Sequence, residues 1–92
     1  MSAPRRVLDA RALRCPRPVL ELAKAARDAA PGDLIDIWWT DPAAAHDIPA
    51  WARMRGHAVV ATAPLPEDAA PLPDDAASAR PASVTTVRIG GD

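Results

Sequence analysis

The amino-acid sequence predicts an α+β (α/β) two-layer sandwich, in which two helices cover one face of a four-stranded mixed sheet. The chain has 92 residues, which is enough for one hydrophobic core and too few for two. Its composition, 49% apolar and 25% charged, is typical of a globular domain. Segments with strand-like alternation and segments with helical spacing follow one another in the order βαβαββ. We therefore expect residues 1–92 to form a single domain.

The first strand and the first helix are predicted in the N-terminal third of the chain. A short strand at Arg6–Asp9 is followed by a helix over Pro16–Ala30. Small or apolar residues recur in this segment at helical spacing, at Val19, Leu22, Ala26 and Ala30. Pro31 and Gly32 end the helix, because proline cannot continue it and glycine readily adopts the backbone conformation of a helix C-terminus.

The second strand, Asp33–Thr40, has the strongest strand pattern in the chain. Its side chains alternate between the two faces of the sheet. One face carries Ile35, Ile37 and Trp39. The other face carries Leu34, Asp36 and Trp38, and it would be left to solvent or to a partner. A tryptophan on that face fits an interface anchor and packing at the edge of the sheet equally well.

The second helix has a clear start signal and an ambiguous course. Asp41 and Pro42 predict its start, because aspartate accepts hydrogen bonds from free amides and proline lacks the amide that would need a partner. Pro49 leaves two possibilities: the helix proper begins near Asp47 with Pro49 in its first turn, or a single turn precedes a break. Gly56 ends the helix.

The last two strands, predicted at His57–Ala63 and Val84–Ile89, are separated by an acidic, proline-rich segment. Residues 64–83 contain five prolines and carry a net charge of −3, whereas residues 1–63 carry +2. The segment has almost no branched apolar residues to offset the entropy of ordering, so a mobile loop is predicted at about 64–83. Two roles stay open for it: a tolerated insertion, or a segment that tunes the choice of partner.

Composition excludes several classes of function. No apolar run approaches the roughly 20 residues of a membrane helix, and no apolar signal segment follows the N-terminus, so we expect a cytoplasmic protein with no membrane partner. One cysteine excludes an internal disulfide and a multi-thiolate metal site. His46 and His57 lack ligand spacing and are expected at the surface, so no metal site is predicted. The 3% aromatic content and the net charge of −1 argue against direct binding of nucleic acid.

The candidate site is the stretch Leu13-Arg14-Cys15-Pro16-Arg17-Pro18, where the first loop meets the first helix. A thiolate at a helix start is stabilised by unpaired amides and by the positive end of the helix dipole. Arginines favour an anionic sulfur, and five precede or follow Cys15 closely: Arg5, Arg6, Arg11, Arg14 and Arg17. Both prolines fit a first helical turn and would hold the sulfur outside the helix. The alternatives are a buried, inert Cys15 and a merely solvated arginine loop.

The same stretch resembles a known family. Leu8-Asp9-Ala10-Arg11-Ala12-Leu13-Arg14-Cys15-Pro16-Arg17-Pro18 is similar to the opening of the TusA/SirA-like sulfur-carrier family, whose hallmark is Cys-Pro-x-Pro. The resemblance continues through Pro31-Gly32-Asp33, Asp41-Pro42-Ala43, Asp47-Ile48-Pro49-Ala50-Trp51 and Gly56-His57. It covers residues 7–63, and the last strand fits by pattern only.

This resemblance implies a fold, an activity and a site. Members of the family share a βαβαββ sandwich with the motif cysteine at the start of the first helix, and that cysteine takes sulfane sulfur as a persulfide. By similarity, Cys15 is the persulfide nucleophile of a sulfurtransferase that acts as a carrier, and Pro16 and Pro18 support it. Arg11, Arg14 and Arg17 would support the anionic sulfur. No metal or organic cofactor is implied.

The implied partners are proteins. A cysteine desulfurase or a rhodanese-type protein would donate the sulfur, and a DsrE/TusD-like protein would accept it, in tRNA 2-thiolation, molybdenum-cofactor assembly or sulfur oxidation. A single thiol fits a relay, because a second cysteine could attack the persulfide and release sulfide. We expect a monomer that docks transiently. The alternative from another class is a non-catalytic regulatory or protein-interaction module of the same fold.

Three features depart from the family pattern. Ala12 stands where the family often has glycine, which puts the shape of the turn in doubt. Ala52 stands where many relatives carry cysteine, so any role of a second thiol is absent. The segment at 64–83 is longer than the usual loop between the last two strands.

Overall fold

The computed structural model describes residues 5–11, 13–14, 16–66 and 82–90. Its elements are β1 (Arg5–Ala10), α1 (Arg17–Arg27), β2 (Leu34–Trp39), α2 (Ala44–Met54), β3 (Ala58–Pro64) and β4 (Ser83–Arg88). The predicted βαβαββ order and the α+β class are confirmed. Within the ranges just given, no helix is long and apolar enough to cross a membrane.

The four strands form one mixed sheet in the order β1-β2-β4-β3. β1 runs parallel to β2, and β4 runs antiparallel to both β2 and β3. A row of register partners crosses one end of the sheet from Ala10 through Trp39 and Ser83 to Pro64. From this row the chain continues from Ala10 towards α1 and from Trp39 towards α2. We call this the upper end of the sheet, and the candidate site belongs to it.

One hydrophobic core lies between the sheet and the two helices. Its largest fully buried side chains include Leu22, Ile35, Ile37, Ile48 and Val87. Trp39 is buried on the same face of β2 as the two isoleucines, as the alternation predicts. Its indole N–H donates to Thr85 Oγ1 at 2.9 Å, which satisfies the one polar group of this side chain inside the core.

At its centre, the opposite face of the sheet is less exposed to solvent than the sequence predicts. Asp36 lies on this face but is only 7% exposed. The Arg5 guanidinium donates two hydrogen bonds to its carboxylate, one of them from Nη2 to Oδ1 at 2.9 Å, and the Thr86 hydroxyl donates another. A carboxylate that was expected to face solvent or a partner thus joins three strands.

α1 is shorter than the predicted Pro16–Ala30. It begins at Arg17, with Pro16 in the N-cap position, and it ends at Arg27. Ala30 leaves the helix because it forms a tight turn with Asp33: the Ala30 N–H donates to Asp33 Oδ2 at 2.8 Å, and the Asp33 N–H donates to the Ala30 carbonyl at 3.0 Å. Gly32, inside this turn, has a φ of +92°, which a residue with a side chain rarely adopts.

Neither of the two possibilities that the sequence left open for Pro49 is correct. The helix is continuous from Ala44 to Met54, so Pro49 lies in its second turn. The ring removes one helical hydrogen bond, but the buried residues Ala44, Ile48 and Ala52 form an unbroken stripe against the core. The helix begins two residues after Pro42, and its N-cap residue Ala43 forms no side-chain capping hydrogen bond. Asp41 stabilises the turn before the helix, since its Oδ1 accepts from the Ala43 N–H at 3.0 Å. Gly56 ends the helix as predicted, with a φ of +76°.

The two ends of the segment predicted as a loop at 64–83 belong to the sheet. Pro64 and Ser83 are register partners, and the Leu65 N–H donates to the Ala82 carbonyl at 3.0 Å. A proline is tolerated at Pro64 because β3 is an edge strand. Residues 67–81, on which most of the loop prediction falls, lie outside the described residues.

Candidate functional site

The loop between β1 and α1 carries the candidate site at the upper end of the sheet. Cys15 and Ala12 lie outside the described residues. The residues on both sides of Cys15 are described, and both Arg14 and Pro16 are exposed. The Arg17 N–H donates to the Arg14 carbonyl at 2.9 Å. The backbone before and after Cys15 therefore lies at the protein surface.

The two prolines of the motif have different surroundings. Pro16 is exposed, and its carbonyl accepts from the Leu20 N–H at 3.0 Å. Pro18 is fully buried against the core. Together they anchor the first turn of α1, where a missing amide N–H costs no helical hydrogen bond. No acidic residue lies in this turn, so the N-terminal end of α1 keeps its positive potential.

Arg11 is buried, although the sequence groups it with a cluster of cations around the sulfur. It is 5% exposed. Its Nε donates to Asp9 Oδ1 at 2.8 Å and its Nη2 to Asp9 Oδ2 at 2.6 Å. The same guanidinium lies over the indole of Trp38, 5.1 Å from the ring centroid. We call this arrangement the Asp9–Arg11–Trp38 cluster; it fastens the first residues of the loop to β1 and β2.

Within this cluster, the negative charge of Asp9 balances the positive charge of Arg11. Hydrogen bonds from the Arg11 side chain, partly opposed by burial, lower the pKa of the Asp9 carboxyl, and the same hydrogen bonds raise the pKa of Arg11. Trp38 contributes the electron-rich face of its ring, which attracts a guanidinium. Arg11 therefore contributes mainly to the shape of the loop and little to its net charge.

The arginines near Cys15 in sequence are spread out in space. Arg5 lies at the other end of β1 from the loop, about 17 Å away for a six-residue strand, and pairs with Asp36. Arg6 is next to it. Arg14 and Arg17 are exposed beside Cys15 in sequence, and neither forms an ion pair with any described carboxylate. Support of the sulfur by Arg11, Arg14 and Arg17 stays a prediction, because Cys15 lies outside the described residues.

Replacing Arg11 by methionine should lower the free energy of unfolding by about 1 kcal/mol, because methionine keeps the packing on Trp38 but loses the cation–π contact and the pairing with Asp9. Urea denaturation at neutral pH measures this change. Arg53→Met, at an exposed position of α2, is the matched control and should change stability by less than about 0.5 kcal/mol. Equal effects of the two substitutions would contradict a structural role of the Asp9–Arg11–Trp38 cluster.

The two histidines differ in their surroundings. His46 is exposed, as predicted. His57 is half-buried: its Nδ1 accepts from the Gly90 N–H at 2.9 Å, and its ring lies 4.9 Å from that of Trp51. Sequence reasoning missed this contact, because Gly90 is distant along the chain. Among the residues that the structure describes, no three of His, Cys, Asp and Glu are grouped to hold a metal ion.

The part of the sequence that contains this loop matches a known protein family. Residues 6–68 match the family model described as Sulfurtransferase TusA. The chain belongs to the TusA family. The resemblance noted in the sequence is thereby confirmed, and the TusA family gives the chain a role as a sulfur carrier. The matched range begins in β1 and extends beyond β3, so it includes Cys15 and leaves β4 outside.

Individual relatives agree with the TusA family. The chain is 44% identical over 54 residues to proteins named Sulfur carrier protein TusA from Pseudomonas paraeruginosa and from Pseudomonas aeruginosa. These matches cover 59% of this chain and 68% of the relatives. It is 38% identical over 56 residues to the Putative sulfur carrier protein YrkF of Bacillus subtilis, of which only 30% is covered. Ala52 is buried in α2.

Proposed function

We propose that Cys15 accepts sulfane sulfur as a persulfide and passes it to an acceptor protein, so that the chain acts as a carrier-type sulfurtransferase. The observation that carries the proposal is the position of the only cysteine in the sequence, directly before the N-cap residue of α1, in a chain of the TusA family. Exposure of Arg14 and Pro16 supports access of a partner protein to this point of the chain.

The transfer is a pair of thiol exchanges. The Cys15 thiolate attacks the outer sulfur of a persulfide on the donor, a new S–S bond forms, and the donor cysteine leaves as its thiolate. The acceptor thiolate then attacks the outer sulfur of the Cys15 persulfide, and the Cys15 thiolate leaves. Sulfur moves at the sulfane level in both steps, so no net oxidant or reductant is consumed.

Local electrostatics support an anionic sulfur. The first amides of a helix have no intrahelical acceptor and the helix dipole is positive there, which lowers the pKa of a nearby thiol. The N-terminal turn of α1 has no acidic side chain to counter this potential. Arg14 and Arg17 add two exposed positive charges on either side of Cys15 in the sequence. Pro16 and Pro18 support the turn, and Arg11 supports the loop through Asp9 and Trp38.

The donor and the acceptor belong to the proposal. We assign the donor to the cysteine desulfurases or rhodanese-type proteins and the acceptor to DsrE/TusD-like proteins, with tRNA thiolation, cofactor assembly and sulfur oxidation as the candidate pathways. A monomer that docks transiently suits a carrier that must meet two partners in turn. The cytoplasm, whose thiol systems keep cysteines reduced, suits a relay built on one free thiol.

Intact-mass spectrometry tests the proposal. The protein is incubated with a cysteine desulfurase and L-cysteine, and we expect one adduct of about 32 Da, the mass of one sulfur atom. The control is the same protein alkylated beforehand with iodoacetamide. Because the sequence holds one cysteine, alkylation blocks one thiol, and no adduct should form. If neither the desulfurase, nor a rhodanese with thiosulfate, nor polysulfide gives an adduct, the relay is wrong and an interaction module of the same fold remains.

A further inference from the structure

A hollow of about 260 Å³ lies between the C-terminal halves of the two helices and the start of β3. It is lined by Ala23, Ala26, Arg27, Trp51, Arg55 and His57. We propose that this hollow binds a small phosphate-type oxyanion. It lies at the C-terminal end of α1, about 15 Å along this 11-residue helix from its first residue, Arg17.

The polar side chains that line the hollow are all hydrogen-bond donors. His57 Nδ1 accepts from the Gly90 N–H, so this ring carries its hydrogen on Nε2 and can only donate there. No described residue accepts from the indole N–H of Trp51, which is a donor only. The guanidinium groups of Arg27 and Arg55 add further donors and two positive charges. A hollow with this lining is complementary to an anion that offers several acceptor oxygens.

Basic residues at a helix C-terminus have an ordinary explanation, because they can bind the last carbonyl groups. Here several of those carbonyls already accept backbone hydrogen bonds. In α1 the Ala25 and Ala26 carbonyls accept from the N–H groups of residues 28 and 29, and in α2 the Ala52 carbonyl accepts from those of residues 55 and 57. Both guanidinium groups are exposed, and neither forms an ion pair with a described carboxylate.

The size of the hollow and its composition define the ligand. A volume of 260 Å³ is just below the range of pockets that bind drug-sized molecules, so the ligand is small. The side chains of Ala23 and Ala26 leave the space open on the α1 side. Arginine recognises phosphate oxygens through two parallel hydrogen bonds, and no described carboxylate lines the hollow to repel an anion. Inorganic phosphate and the phosphate group of a small organic molecule share this chemistry.

Nuclear magnetic resonance of the ¹⁵N-labelled protein tests this site. Inorganic phosphate is titrated at pH 7 against a constant ionic strength held with potassium chloride. We expect saturable shifts at the Trp51 indole N–H and at the amides around Arg27, Arg55 and His57. The variant carrying Arg27→Gln and Arg55→Gln should bind phosphate at least about tenfold more weakly. Arg53→Gln, an exposed arginine of α2 outside the hollow, is the matched control and should bind like the unchanged protein.

Two results would overturn the proposal: shifts that grow linearly without saturation, or equal weakening by Arg53→Gln and by the double substitution. The folded spectrum of each variant shows whether it remains intact. A parallel titration with adenosine monophosphate distinguishes the sources of the anion. Tighter binding of the nucleotide at the same residues identifies an organic phosphate, and equal binding identifies the free anion. Sulfur loading of Cys15 does not enter the readout, so this test is independent of the proposed relay.

Discussion

Replacing Cys15 by serine should abolish sulfur transfer from a persulfide donor to an acceptor, a loss of at least about a hundredfold. The reason is chemical: transfer needs a thiolate that attacks sulfur and later leaves as a thiolate, and a serine hydroxyl does neither at neutral pH. The sequence holds no other thiol that could take over. The measurement is the transfer of radiolabelled sulfur from L-cysteine, through a desulfurase and this chain, to an acceptor protein.

A matched control separates loss of the thiol from general damage. Met54 also carries sulfur, and its side chain is 79% exposed at the end of α2, away from the upper end of the sheet. A thioether cannot form a persulfide, so Met54→Ser should transfer sulfur at the rate of the unchanged protein. Circular dichroism checks that both variants keep the helices and the sheet. Transfer by a folded Cys15→Ser variant above the background without carrier would contradict the covalent relay.

Most of the fold could be predicted because its signals are local. The alternation in β2 placed Ile35, Ile37 and Trp39 towards the core, and helical spacing placed Leu22 on the buried face of α1. The boundaries of the elements could not be predicted as well, because contacts distant in sequence decide them. The turn with Asp33 ends α1 early, and packing of Ala44 and Ile48 against the core holds α2 together across Pro49.

In the candidate site, too, local signals were enough for part of the prediction, and contacts distant in sequence decide the rest. Motif spacing was enough to predict the family, which the match over residues 6–68 confirms. The roles of the arginines depend on which carboxylate and which ring the fold brings to each one. Asp9 is two residues from Arg11, so their pairing is local, but Trp38 reaches this pair only through the parallel register of β1 and β2. Charge counting along the chain cannot separate the buried Arg11 from the exposed Arg14.

The second large prediction concerns the hydrogen-bonded cluster of Arg5, Asp36 and Thr86. Asp36→Ala should lower the free energy of unfolding by about 1 to 3 kcal/mol at neutral pH, because the buried Thr86 hydroxyl loses its acceptor and β1 loses a link to β2. Asp28, an exposed aspartate at the end of α1, provides the control. Asp28→Ala should change stability by less than about 0.5 kcal/mol in the same urea denaturation experiment.

The same cluster predicts how stability depends on pH. Burial alone would raise the pKa of Asp36, but hydrogen bonds from Arg5 and Thr86, together with the charge of Arg5, outweigh burial and lower this pKa below its ordinary value. The folded protein therefore binds this proton less tightly than the unfolded chain does. The ionised carboxylate stabilises the fold above the unfolded pKa of about 3.9, and this contribution is lost as the pH falls through the lowered pKa of the folded state.

Denaturation at several pH values from 7 to 2 separates Asp36 from the other carboxylates. The unchanged protein should lose stability below about pH 4, in part through Asp9, whose pKa is also lowered by its bonds to Arg11. Asp36→Asn cannot titrate at this position, so it should be less stable than the unchanged protein at pH 7, and the difference should shrink as the pH approaches 2. A difference that stays constant over this range would show that the charge of Asp36 does not stabilise the sheet. The Thr86 hydrogen bond alone would then account for its burial.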